Sequence, residues 1–412
     1  MRVCQINTVY AQGSTGRIVQ DLHQGMKRRG IESYVCYPVP NHVPPEKGVS
    51  TFSNRFLNMA SAAWRRLTGD IFGGARLQTH RLLRQLDRLR PDLVQLHCIN
   101  GNNINVRRLL TYLAQNRIKT VLTLHAEFMY TGGCGHALEC ERYQTGCGSC
   151  PYLGGAVPSV LFDRTHKTWL DFQSCYRKFE KGQLQVIAVS GWLCDRARQA
   201  PLLTDFPIET IENGIDTRVF RTCDYKSLKK RLGLGEEKVI LHVTAAFDGV
   251  HETHKGGTVI TRLAKRLSGK PCRVIIAANY GSPDGLPDNA VYFGRSASAA
   301  ELAQLYSLAD LCVVTSRRET FSMVCAESLS CGTPVVGFEA GAPERIALPA
   351  YSSFVPYGDE EQLYAAVCQM LTRKRATPDM AQRISEEARA VYSRERMVDR
   401  YLKVYERMLG EE

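Results

Sequence analysis

Short apolar runs alternate along this chain with longer stretches whose apolar positions return at helical spacing, the pattern of strands followed by helices. The first series of strand-like runs is Val3–Asn7, Tyr34–Tyr37, Leu93–His97, Lys119–His125 and Gln185–Ser190, with helical stretches such as 16–29 and 106–115 between them. After Asn213 a second series begins: Val239–Ala245, Cys272–Ala278, Val291–Phe293, Leu311–Thr315 and Val335–Phe338. Such alternation predicts parallel sheets with helices on both faces. The expected fold class is α/β, two doubly wound Rossmann-like domains facing each other across a cleft, with a linker near 190–213. A length of 412 residues suits two domains of about 200 residues better than one core.

Two segments interrupt the alternation. The first is a loop at 39–45 followed by a predicted amphipathic helix, Phe56–Leu67, apolar on one side with arginines at its end. Core packing would turn its apolar side inward; the other reading is a helix resting on a membrane surface. The second lies between His125 and Pro158, where Cys134, Cys140, Cys147 and Cys150 fall within seventeen residues and the last pair forms Cys-x-x-Cys before Pro151. That density suits a structural zinc held by four thiolates, or by three with His136. The loop is glycine-rich, so metal binding would supply folding energy that its side chains lack. Iron–sulfur ligation and free thiols remain as alternatives.

The densest candidate chemistry follows the strand Leu311–Thr315. Glu319-Thr-Phe321-Ser322-Met323 leads into a predicted helix containing Glu327, and Gly332-Thr-Pro334 ends that helix before the strand at Val335. Unpaired amides at a helix start, here near Phe321, Ser322 and Met323, seat a phosphate. Carboxylates on either side of that start suit a ligand that also carries hydroxyls. Solvated glutamates are the plain alternative.

The pattern Glu319-x-Phe321-x5-Glu327 followed by Gly-x-Pro-Val-Val resembles that of retaining nucleotide-sugar glycosyltransferases of the two-domain GT-B fold, the group 1 or family 4 type. Further pieces match in order: Asn7 to Ile18 with Gly13 and Gly16, the strand ending at His125, Val186–Ser190, Glu212–Asp216, and Lys255-Gly256-Gly257. The Cys-rich insertion is similar to one in a subset that builds bacterial exopolysaccharides of the colanic-acid kind. The resemblance implies domains at 1–190, with the insertion at about 127–158, and at 191–393, and a final helix at 394–412 crossing back to the first. It implies a nucleotide-sugar donor, UDP- or GDP-linked, and a glycan or polyprenyl-diphosphate-linked acceptor, with no cofactor required for transfer.

By the same resemblance Lys255 clamps the diphosphate, helped by Gly256 and the amides of Ser322 and Met323. Glu319 holds the transferred sugar, Glu327 the ribose, and His125 stands beside the sugar; Gly13 and Gly16 approach the donor or acceptor. The family usually carries an arginine shortly before the clamping lysine, and Thr244–His254 contains none. His251, His254 or Arg295 are the substitutes. A sugar-nucleotide-binding scaffold without catalysis is the competing reading, and the Glu319/Glu327 pair argues against an epimerase or phosphorylase. The first domain offers no convincing carboxylate for a double displacement, Glu127 and Asp92 being the residual candidates.

Composition narrows the setting. No run approaches the roughly 20 apolar residues that span a bilayer, and the start reads as a strand and not as a secretion signal, so the expected location is the cytoplasm. A formal charge of +12 asks for an anionic partner, and basic residues recur at 27–29, 65–66, 81–90 and 107–108. Peripheral contact with the inner face of the plasma membrane fits that field. Nucleic acid does not, since no basic motif with interleaved aromatics is present.

Overall fold

The computed structural model describes residues 1–40, 44–100, 102–159, 161–372 and 377–410; residues 41–43 of the loop expected at 39–45 lie outside them. The chain forms two compact units, one of Met1–Glu212 with the C-terminal helix from Met397, the other of Asn213–Arg396.

The first unit runs β1 (Arg2–Ile6), α1 (Gly13–Arg28), β2 (Glu32–Tyr37), β3 (Val49–Thr51), α2 (Arg55–Thr68), α3 (Arg76–Leu89), β4 (Leu93–Leu96), α4 (Val106–Gln115), β5 (Lys119–Leu124), α5 (Thr165–Tyr176), β6 (Leu184–Ala188), α6 (Gly191–Arg198) and β7 (Ile208–Thr210). All its strands are parallel, in the order β3-β2-β1-β4-β5-β6-β7. The order reverses between β1 and β4, which opens a crevice at their carboxyl ends. Segment 191–210, expected to belong to the linker and the second domain, stays with this unit because β7 pairs with β6. The edge strands β3 and β7 are three residues each, too short for an apolar run to show in the sequence.

The second unit runs α7 (Lys226–Arg231), β8 (Lys238–Phe247), α8 (Gly257–Arg266), β9 (Cys272–Gly281), β10 (Ala290–Gly294), α9 (Ala299–Leu308), β11 (Leu311–Val314), α10 (Met323–Ser330), β12 (Val335–Phe338), α11 (Pro343–Ile346), β13 (Ser352–Val355), α12 (Glu360–Thr372) and α13 (Pro378–Tyr392), and α14 (Arg394–Leu409) starts in it. The sheet is again parallel, β10-β9-β8-β11-β12-β13, with its reversal between β8 and β11. Ile240, Val274, Ile276, Val313 and Val336 form the middle of its core, as expected of strands buried on both faces.

From Met397 onward α14 packs on the first unit. Met397, Val398, Tyr401 and Tyr405 join Ile18, Leu22, Leu93, Val121 and Ile187 in one buried cluster. A Cβ on Gly25 of α1 would meet Val398 Cγ2 at 2.7 Å, so the helices meet where α1 lacks a side chain.

Two expectations are corrected. The first is core packing of the helix at 56–67. α2 has no buried residue, and its stripe Phe56, Met59, Ala60, Ala63, Trp64 and Leu67 faces outward. The second is that the cysteine loop cannot fold through its own side chains. Phe128, Met129, Tyr130, Ala137 and Tyr143 are all buried, and the Tyr130 and Tyr143 rings meet edge to face. Among the described residues no helix is long and apolar enough to cross a membrane.

Candidate functional site

At the switch point of the second sheet, the loop leaving β8 meets the loop leaving β11. Lys255 stands just before α8, and its ammonium lies 2.7 Å from Glu319 Oε1, both side chains partly exposed. Backbone contacts fix this meeting. Thr315, at the end of β11, donates its hydroxyl to the carbonyl oxygens of Lys255 and Gly256 at 3.2 and 3.0 Å. Gly256 has φ +72°, and a Cβ there would meet the Thr315 carbonyl oxygen at 2.3 Å; a Cβ on Gly257 would meet the Asp248 carbonyl oxygen at 2.1 Å. Gly256 therefore lets this loop lie on the end of β11, and Gly257 lets the loop close on its own start at Asp248. Arg317 N–H donates to the His254 carbonyl at 2.8 Å and completes the join.

Glu319 is held from the other side by the loop after β12. Its N–H donates to Ala340 O at 2.9 Å and its carbonyl accepts from Ala342 N at 3.2 Å. Glu344 steadies that loop by accepting from the amides of Ala340 and Gly341 at 3.0 and 2.9 Å. Beyond Glu319 the chain turns into α10 through Ser322, at φ +80°, whose hydroxyl accepts from Cys325 N at 3.4 Å. The earlier amides of α10 have no acceptor inside the helix, so its start is an anion-favouring end beside the ammonium. Phe321 is buried in the core and contributes its backbone only. Glu327, two turns on, is 8% exposed, and its Oε2 accepts from Tyr306 OH at 3.0 Å.

The proposed stand-ins for the absent arginine fare differently. His251 is engaged with Asp248, Nδ1 to Oδ2 3.0 Å. His254 adjoins Lys255, and burial followed by that ammonium lowers its pKa. Arg295 is exposed just past β10, the edge strand, two strands away from β8. Arg317 and Arg318, immediately before Glu319, are cations the motif reading passed over. Their position in the β11–α10 loop was visible in the sequence, but only the contact of that loop with His254 shows its relevance.

In the first unit, Asn7 ties the loops at the switch point together: its Oδ1 accepts from Cys98 N at 3.0 Å and its Nδ2 donates to Val9 O at 2.8 Å. Gly13, at φ +63°, opens α1 with free space where a Cβ would be, whereas a Cβ on Gly16 would crowd Ala11 N and Val9 at 3.2 Å. His125 follows β5 and is 8% exposed. His97, after β4, lies with Nδ1 3.0 Å from His125 Nε2 and with Nε2 3.1 Å from Gln5 Oε1. The Gln5 amide nitrogen donates to Val19 O at 3.3 Å, so its oxygen faces His97. An amide oxygen only accepts, hence His97 carries its proton on Nε2 and accepts on Nδ1, and His125 donates from Nε2. Burial lowers the pKa of both rings, well below the usual value for His97 and to about 4 for His125.

Neither first-unit carboxylate is placed as a nucleophile. Glu127 is fully buried and accepts from Arg196 Nε at 2.6 Å, Tyr130 OH at 2.9 Å and Ala137 N at 2.7 Å, anchoring the insertion. Asp92 precedes β4, at the amino end of the sheet, and accepts from Arg2 N at 2.6 Å.

Cys134, Cys140, Cys147 and Cys150 line one small pocket, and Gly132 N–H donates to Cys147 Sγ at 3.1 Å. Among the described residues, however, no group of three or more His, Cys, Asp or Glu is placed to hold a metal ion. The four thiols share this pocket without forming such a group, and the expected zinc is left without support from it. The loop is organised by Glu127, by its buried aromatics and by Trp169, whose Nε1 donates to Tyr143 O at 3.0 Å. Burial pushes the thiols of Cys134 and Cys147 up to about 12.

A family model for group 1 glycosyl transferases matches residues 244–373, and one for glycosyltransferase family 4 matches residues 15–219. WcaC of Escherichia coli K12, named as a colanic acid biosynthesis glycosyl transferase, is 24% identical over 433 residues, covering 99% of this chain and 100% of that protein. A D-inositol 3-phosphate glycosyltransferase of Mycobacterium marinum is 30% identical over 220 residues, 50% of this chain and 46% of that protein. Among solved structures, sucrose-phosphate synthase from Thermosynechococcus elongatus superposes with a TM-score of 0.69 at 15% identity, covering 100% of both chains. Anabaena Alr3699/HepE in complex with UDP-glucose gives 0.64 at 15% identity, covering 98% of this chain and 99% of that one. The fold is the GT-B arrangement of two Rossmann-like α/β domains.

Proposed function

Since this chain belongs to the group 1, family 4 glycosyltransferases, we propose that it moves a sugar, with retention, from a UDP- or GDP-linked donor to a glycan or polyprenyl-diphosphate-linked acceptor in cell-surface polysaccharide assembly. The observation that carries this reading is the Lys255–Glu319 pair at the β8/β11 switch point, beside the start of α10. WcaC, by its name, and HepE, solved with UDP-glucose, support the pathway and the donor class.

Transfer leaves negative charge on the departing diphosphate, and stabilising it is the larger task. The Lys255 ammonium and the first α10 amides supply positive charge without reorganising, because Thr315 and the two glycines hold the loop in place. When phosphate takes the ammonium, Glu319 is released to accept hydroxyls of the transferred sugar. Glu327, kept in orientation by Tyr306, is the ribose ligand of this proposal. In the first unit, the Nε2 proton of His125 is committed to His97. With Glu127 paired and Asp92 at the wrong end of the sheet, no enzymic nucleophile is assigned, and the leaving phosphate accepts the acceptor's proton.

The test is donor-dependent thermal stabilisation with UDP-, GDP- and ADP-sugars, since a ligand at a hundred times its Kd adds about 2.7 kcal/mol to the folded state. One nucleotide class should raise Tm. Lys255→Ala and Glu319→Ala should each leave the unliganded Tm within a few degrees, because a partly exposed ion pair contributes about 1 kcal/mol, while transfer falls by about a hundredfold or more. Full transfer by both variants would refute the assignment.

A further inference from the structure

α2 is built inside out. Its inner side is polar and tethered: Ser61 Oγ and the Leu57 carbonyl accept from Gln78 Nε2 at 3.0 Å each, Asn58 Oδ1 accepts from Ser53 at 2.9 Å, and Arg65 reaches the Asn100 carbonyl at 3.3 Å. Its outer side carries apolar residues at i, i+3, i+4, i+7, i+8 and i+11, with Phe56 76%, Met59 71%, Trp64 54% and Leu67 61% exposed. The helix is no frayed end, being capped by Asn54 onto Leu57 N at 2.9 Å and stopped by Gly69 in the left-handed conformation. A groove between α2 and α3 adds exposed Leu77, and the loop beside Gly69 adds exposed Leu161 and Phe162. A soluble surface does not pay for such a stripe without a use.

Charge says what covers it. Residues 55–90 hold eight arginines against two aspartates, a formal +6 that is half of the chain's +12. Arg55, Arg66, Arg76, Arg81 and Arg84 are exposed around the stripe. The aspartates are engaged elsewhere, Asp70 with Arg107 at 2.9 Å and Asp87 with Tyr112 OH at 2.5 Å. An apolar stripe bordered by uncompensated cations is complementary to an anionic bilayer surface, which offers acyl chains under phosphates.

We propose that α2, with the exposed starts of α3 and the 161–162 loop, is the surface by which this protein docks on anionic membrane. It lies in the plane of the interface with Phe56, Met59, Trp64 and Leu67 inserted and the arginines at headgroup level. This deepens the acceptor side of the proposed transfer and rests on it for its setting, but docking needs no donor, so the two readings fail separately.

The full chain is mixed with vesicles of phosphatidylcholine, alone or with phosphatidylglycerol, without nucleotide. It should bind the mixed vesicles at least about tenfold more tightly, and less at high salt. Of the three tryptophans, Trp169 and Trp192 are buried, so a blue shift of fluorescence on binding reports Trp64. Met59→Ser with Trp64→Ser, and separately Arg66→Glu with Arg76→Glu, should each lower binding about tenfold with Tm unchanged, since these side chains are exposed. Equal or absent binding of the parent to both vesicle types would overturn the proposal, as would undiminished binding by the variants. Self-association abolished by the Met59/Trp64 variant would also overturn it, in favour of a second copy on this face.

Discussion

Lys255 is held at both ends, its carbonyl by the Thr315 hydroxyl and its ammonium by Glu319. A flexible lysine gains a defined direction before any ligand arrives, and the cost of ordering it is met in folding. The histidines are controlled differently, by burial. His125 and His242 are lowered to about 4, the latter with its Nδ1 3.0 Å from the Val313 carbonyl, and burial lowers His97 as well. The sign follows from linkage. Below the unfolded value of about 6.5 the unfolded chain takes up protons that the folded chain refuses until about pH 4, so stability is full above pH 6.5 and falls as pH drops from there towards 4. Each of His125 and His242 should account for a loss on the order of 2–3 kcal/mol across that window. Chemical denaturation at pH 7, 5.5 and 4.5 checks this, and His242→Gln should flatten the profile; an unchanged slope in the variant would remove His242 from the account.

At the scale of elements, the site depends on two loops sharing one place. The β8–α8 loop lies on the end of β11 only because Gly256 has no side chain, and the β11–α10 loop is clasped in turn by the loop after β12. Gly256→Ala should therefore cost about 1–3 kcal/mol through its positive φ and the 2.3 Å contact with Thr315. It should also weaken donor binding more than any stabilised second-site revertant can recover, because Lys255 moves with the loop. Melting curves with and without donor separate the two effects; a lowered Tm with donor affinity intact would mean that the glycine serves folding alone. The insertion after His125 shows the same economy in the first unit, where the single buried carboxylate of Glu127 takes hydrogen bonds from Arg196, Tyr130 and Ala137.

Across the whole molecule, the chain's last helix completes the first unit's core. Tyr401 meets Thr123 at 3.3 Å, Tyr405 hydrogen-bonds Gln95, and Val398 fills the space at Gly25. Where the chain enters the second unit, Gly214 lies against Arg394, a Cβ there meeting its Cα at 2.4 Å, and Arg394 pairs with Asp216 at 2.9 Å. The Asn-Gly-Ile-Asp motif at 213–216 thus has a structural reason. Ending the chain after Arg396 should expose the cluster around Ile18, Leu93 and Val121 and make the first unit the more protease-sensitive. Limited proteolysis with mass spectrometry reads which unit is cut; equal resistance in both would show that α14 is dispensable to that core.

The long buried strands and the alternation with helices were written in local periodicity, because a strand buried on both faces and an amphipathic helix must show their burial in the order of residues. The candidates Lys255, Glu319 and His125 came from motifs shared with the family rather than from periodicity. Other features depend on partners distant in the chain and left no local trace. The edge strands β3 and β7 exist by pairing, the commitment of Glu127 to Arg196 spans 69 residues, and the relay from Gln5 through His97 to His125 joins three strands. The stripe on α2 was plain in sequence, but periodicity gives a helix two sides and cannot say which faces water; that was decided by Gln78, Ser53 and Asn100, which grip its polar side.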